Sequence, residues 1–197
     1  MIEYELPTSV ILNNAAHPIR KDGDFRMVLD CFKLLQDAEL DENERILACL
    51  VVFYDELDGI ESVNQLGDIE EAVKQMFSFF NCNQDSLGIK TEGKVIDWNR
   101  DAMMLISAIN KVAGKEVRAE KYLHWWTFMG YYMAIGDSAL ATVINIRRKI
   151  IKNEKLEKFE QKYVNENPEL FKRNETYTAE EQEFLDEIQA NWHKGGP

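Results

Sequence analysis

Cysteine is scarce in this sequence and nowhere paired. Cys31, Cys49 and Cys82 are its three cysteines in 197 residues, with no C-x-x-C spacing. An odd, scattered set argues against a disulfide framework. It fits free, mostly buried thiols in a reducing compartment. Histidine is equally sparse: His17, His124 and His193 fall on three separate elements, with no H-x-x-x-H and no His/Cys cluster. That pattern argues against a zinc site, and no metal or cofactor is expected. A positive charge excess is absent too. Lys and Arg number 23 against 35 Asp and Glu, giving a formal net charge of -12. Such a chain is repelled by a phosphate backbone, so nucleic acid is not expected as its main partner. No apolar run reaches the ~18 residues of a membrane span, and the longest is interrupted by His124 and Thr127. Met1–Leu6 carries Glu3 and Glu5 where a signal peptide needs positive charge. These absences predict a soluble cytosolic protein with no membrane partner.

Apolar material, by contrast, is plentiful. Hydrophobic residues make up 45% and aromatics 11%, enough to bury a real core rather than leave a disordered chain. Val10-Ile-Leu12, Asn13-Asn14 and His17–Arg20 read as a small hairpin, with Pro18 confining the return strand to an edge. Asp24 then caps a helix whose Phe25, Val28, Leu29, Phe32 and Leu35 share one face. Asp41 and Glu44 form a capping box before Ile46, Leu47, Leu50, Val51, Tyr54 and Leu57, and Gly59 ends that unit. Asp68 and Glu71 repeat the arrangement before Ile69, Val73, Met76, Phe77 and Phe80. A polar loop over Asn81–Val95 follows. Asp97 opens the next helix, lined by Trp98, Ala102, Leu105, Ile106, Ile109 and Val112 and stopped by Gly114. An aromatic helix is expected over Ala119–Ile135. Asp137 then caps a last body helix bearing Leu140, Val143, Ile144 and Ile150. After Ile151 the composition turns charged. Thr178-Ala-Glu-Glu181 is a further capping box, leading into Phe184, Leu185, Ile188 and Trp192. The fold class is therefore mostly α: a bundle of about five to seven helices with an N-terminal β-hairpin and a C-terminal helical arm. Its domains are a body over 1–151 and an arm over 152–197.

Four patterns suggest chemistry, and each falls short. Gly88-Ile-Lys-Thr-Glu-Gly93-Lys94 fits G-x-x-x-x-G-K, but Val95 stands where the magnesium-holding hydroxyl belongs. Asp55, Glu56 and Asp58 before Gly59 fail the twelve-residue calcium spacing. Asp97 and Asp101 stand four residues apart in a first turn, where negative charge favours the helix dipole without any catalytic role. Cys31 on an apolar helical face reads as a packed small hydrophobe rather than a nucleophile paired with His124. Basic residues cluster at Arg147, Arg148, Lys149, Lys152, Lys155 and Lys158, interleaved with Glu154 and Glu157. This reads as a solvated helix C-terminus, or as a docking site for an acidic partner. One such partner is the arm's own Glu175, Glu180, Glu181, Glu183, Asp186 and Glu187, in cis or from a neighbouring subunit.

The segment Tyr122–Gly136 is apolar nearly all the way round, so its helix must be enclosed on several sides. Core packing explains it, and so does a helix that is part core and part protein-binding surface. Met103, Met104, Met129 and Met133 add soft surface able to adapt to varied helical clients. Asp97-Trp-Asn-Arg-Asp101, Leu105-Ile-Ser-Ala-Ile109, Leu123-His-Trp-Trp-Thr-Phe128 and Ile144-Asn-Ile-Arg147, with Asp24-Phe-Arg26, resemble the gene-product-fifteen family of Gram-positive tailed phages. The resemblance covers about residues 5–151, and its L-H-W-W-x-F element is the most specific part. One departure is Val112–Val117, where the family tends to carry a Y-G-I-D-L-like loop.

The resemblance implies a non-enzymatic tail assembly chaperone in the host bacterial cytoplasm, binding the helical tape-measure protein and associating with itself. Avidity along a long client needs many weak contacts rather than a catalytic residue. Candidate protein-binding residues are Trp125, Trp126, Phe128 and Tyr132, with Arg147, Arg148 and Lys149 as a second patch. The alternative is a regulatory or inhibitory protein directed at a host factor.

Overall fold

The computed structural model describes residues 5–37, 39–83, 95–97 and 100–172. The Gly88–Lys94 motif, Trp98 and the Thr178–Trp192 segment lie outside the described residues. Within them the chain is mostly helical behind one small hairpin, as the periodicity predicts.

Strand β1 (Ser9–Leu12) pairs antiparallel with β2 (Ala15–Pro18), Val10 opposite His17 and Leu12 opposite Ala15. Asn13 and Asn14 both have positive φ, 49° and 64°, the backbone of a two-residue turn whose twist matches its strands. Alternation buries Val10 and Leu12 against the helices and leaves Ile11 outside. The return strand ends at Pro18, earlier than the sequence predicts. Ile19 leaves the ladder to bridge Tyr54, and Arg20–Gly23 winds into a 3₁₀ turn.

Helix α1 (Phe25–Leu35) is capped by Asp24, and α2 (Glu42–Phe53) by the reciprocal Asp41–Glu44 capping box. The two pack against each other along an apolar seam. Helix α2 stops at Phe53, where the Arg20 guanidinium donates to the carbonyls of Val51, Tyr54 and Leu57. Carbonyls at a helix end have no partner within the helix, so this arginine satisfies a need that the local sequence leaves open. A 3₁₀ turn (Ile60–Leu66) leads to α3 (Ile69–Phe80), capped by Asp68, which accepts the Glu71 N–H.

Helix α4 (Ala102–Ala113) ends at Gly114 in a left-handed conformation, φ +69°. Asp97 and Asp101 form a turn ahead of it, in which the Asp101 carboxylate accepts the Asp97 N–H. Helix α5 (Trp125–Met133) is shorter than the expected Ala119–Ile135. Val117–Ala119 is a 3₁₀ turn, and Leu123 pairs through its backbone with the head of α1. His124, not a residue of the first expected turn, becomes the cap. Helix α6 (Ala139–Ile151) is capped by Ser138, whose hydroxyl accepts the Ala141 N–H, one residue after the expected Asp137. Helices α7 (Lys158–Glu166) and α8 (Pro168–Phe171) follow. Arg147 and Arg100 hold α8 on the body through the carbonyls of Glu169, Leu170 and Lys172.

Candidate functional site

Helix α5 lies against α1 and α4. Trp125 and Phe128 are 0% exposed. The Phe128 ring stacks on Phe25 at 4.6 Å and on Trp125 at 5.6 Å, while Phe32 meets Trp125 edge-on. Trp126 and Tyr132 are half-buried at the rim. Burial pushes the Tyr132 hydroxyl up to about 12. Both indoles are fixed by hydrogen bonds. Trp125 Nε1–H donates to the Phe80 carbonyl and Trp126 Nε1–H to that of Phe79, each at 2.9 Å. Consecutive tryptophans thus serve consecutive carbonyls at the C-terminal end of α3, satisfying a buried helix end.

Asp24 is the hub at the other side of α5. Its carboxylate caps α1 through the Arg26 N–H at 2.9 Å, receives the Leu123 N–H at 3.0 Å, and is clamped by the Arg26 guanidinium. Arg26 continues to the carbonyls of Arg118 and Glu120 and lies over the Phe25 ring. A carboxylate almost fully out of water needs such a set of donors. His124 completes the joint. Its Nδ1 accepts the Trp126 N–H, which leaves the proton on Nε2 to donate to the Pro7 carbonyl at 3.0 Å. Burial holds its pKa below the usual imidazole value, against the opposing Pro7 bond and Asp24 charge.

The basic patch divides. Arg147 points inward and is 8% exposed. It forms a bidentate ion pair with Asp101, which is 0% exposed, and also donates to the carbonyls of Val95 and Leu170. Lys149 bonds Glu160 at 2.7 Å, tying α6 to α7. Arg148 is half-buried. Asp101, expected as a first-turn carboxylate that favours the helix dipole, is in addition the buried anion of an ion pair. Sequence held one signal for this. Arg147 falls in the helical register of Leu140, Val143 and Ile144, the apolar stripe of α6.

The candidate nucleophile is likewise committed. Cys31 and Cys49 are both buried between α1 and α2. The Cys49 thiol donates to the Cys31 carbonyl at 3.3 Å, and the Cys31 thiol to that of Cys49. The Cys49 contact and burial raise the Cys31 pKa, holding it as a thiol. Asp55 pairs with Arg20, and Glu56 with His17. Among the described residues, no three His, Cys, Asp or Glu gather as a metal site, and no helix is long and apolar enough to cross a membrane. Some large apolar side chains do face outward on α4 and α5. Met103 is 71% exposed and Met133 58%, with Met104 partly buried and Met129 in the core.

The chain is thus a mostly helical protein whose tryptophan pair, aspartate hub and buried Asp101–Arg147 pair are internal joints. It belongs to the family described as Bacteriophage Gp15 protein, whose sequence model matches residues 2–172, and it is accordingly a phage protein. The match runs past Ile151 to the end of the described residues. No curated protein and no solved structure matches the chain.

Proposed function

We propose that this phage protein is a non-catalytic tail assembly chaperone that binds the helical tape-measure protein in the host cytoplasm and associates with itself. Family membership supports the phage setting. The observation that carries the binding surface is the outward-facing Met103 and Met133 on the neighbouring helices α4 and α5. Flexible thioether side chains adapt to many helical faces, which suits a long client of varied sequence. Of the other candidate residues, Trp125, Phe128 and Arg147 are buried, and Trp126 and Tyr132 are half-buried.

Co-expression with the tape-measure protein of the same phage and affinity capture from the soluble fraction tests this reading. Retention of the tape-measure protein, and its precipitation when the chaperone is withheld, is the expected result. Capture of a host protein in its place would instead establish an inhibitor of that factor.

A further inference from the structure

We propose that the basic, apolar corner at the end of α6 is covered by the chain's own acidic segment Thr178–Trp192. The corner is well defined. The chain turns at Asn153, with positive φ, and the Glu154 N–H returns to the Lys149 carbonyl at 2.8 Å. Lys149 Nζ reaches across to Glu160, whose carboxylate also accepts the Glu157 N–H. Ile150 and Ile151 at the end of α6 are exposed, as is Phe159 in the first turn of α7, by 66%. Isolated apolar side chains on a surface are ordinary; three of this size on either side of one turn invite cover. Its charge is also unusual. From residue 148 to 160 there are five basic residues against three acidic, in a chain of net charge -12. Lys152, Lys155 and Lys158 are exposed.

The occupant follows from charge and reach. Thr178–Trp192 carries Phe184, Leu185, Ile188 and Trp192 at helical spacing, amid Glu180, Glu181, Glu183, Asp186 and Glu187. Its apolar face matches the isoleucines and Phe159, and its carboxylates match the lysines. The last described residues are tied to the body, the Leu170 carbonyl accepting from Arg147 of α6 and that of Lys172 from Arg100. Arg147 precedes Ile150 and Ile151 by about one helical turn, roughly 5 Å along the axis. The few residues from Lys172 to Thr178 span up to roughly 20 Å when extended. A tether this short gives an effective concentration on the order of millimolar.

Amide hydrogen exchange on the full chain tests the proposal. Segment 178–192 is expected to be protected, to the same degree across a wide range of protein concentration. The K152E/K155E/K158E variant should exchange there at least about tenfold faster, with α1–α3 unchanged. Adding E180K/E181K/E187K should restore protection by reversing both partners. Trp192→Ser reads the same contact from the segment's side and leaves the body untouched. Fast exchange in the unaltered protein would overturn the proposal, as would protection indifferent to the lysine reversal. Protection that grows with protein concentration would overturn it too, by assigning the corner to a second copy.

Discussion

Asp101 and Arg147 stand 46 residues apart in sequence and meet as a buried ion pair, Arg147 Nη2 to Asp101 Oδ1 at 2.9 Å. The pair joins the head of α4 to the middle of α6 and, through the Val95 and Leu170 carbonyls, to two further segments. Arg147→Met strands a buried carboxylate and should lower stability by about 3–5 kcal/mol. Asp101→Leu in the same chain removes the stranded charge, so the double variant should be more stable than the sum of the two single changes. Denaturant unfolding of the four proteins measures the coupling, and additive losses would contradict it.

The two indole hydrogen bonds to α3 should be unequal. Trp125→Phe leaves the Phe80 carbonyl without that donor in a dry interior and should cost about 1–3 kcal/mol, besides any loss of packing. Trp126→Phe should cost less, because water reaches its half-buried surroundings. Chemical denaturation of the two variants gives the order, and equal losses would place both bonds in the same environment.

Gly23 leaves no room for a side chain. Its φ is +77°, and a Cβ there would come within 2.8 Å of Phe79 Cζ and 3.0 Å of His124 Nε2. Gly23→Ala should lower stability by about 1–3 kcal/mol from overpacking alone, read as a fall in Tm. An unchanged Tm would show that the α1–α5 joint yields more easily than its contacts suggest.

His124 should make stability depend on pH in one direction. The fold lowers its pKa, so the unfolded chain binds the proton first as pH falls. The neutral ring's contribution is complete above the unfolded value of about 6.5. It declines as pH drops from there through the folded pKa, below which both states are protonated. Unfolding free energies measured across this range should show the decline, and His124→Asn should remove that part of the slope. A slope unaltered in the variant would assign the effect to another group.

Met103 and Met133 should separate binding from stability. Met103→Glu and Met133→Glu replace exposed side chains and should change stability by no more than about 0.5 kcal/mol. Under the proposed function they should weaken retention of the tape-measure protein at least about tenfold. Paired unfolding and capture measurements check both. Full retention would move the client surface away from α4 and α5.

The helical faces were legible because their signal is local. Asp24, Asp41 and Asp68 each stand immediately ahead of an apolar stripe, and each caps the helix expected. The hairpin was legible for the same reason, since Asn13-Asn14 accepts the left-handed backbone of a tight turn. Helix ends were less so. Leu123 looks helical by composition, but its backbone is taken by Asp24 and Phe25, 99 residues away in the first case. A hydrogen bond over that distance leaves no periodic trace.

Sequence by itself thus determined the mostly helical class, the hairpin and the capped helix starts, because side-chain spacing and caps act within a few residues. The family residues were equally visible as a pattern. Only the tertiary structure decided what they do. It turned Trp125, Phe128 and Arg147 inward and gave Asp101 a buried partner. Their roles depend on donors, acceptors and charges brought together from distant elements, and burial is set by how those elements pack.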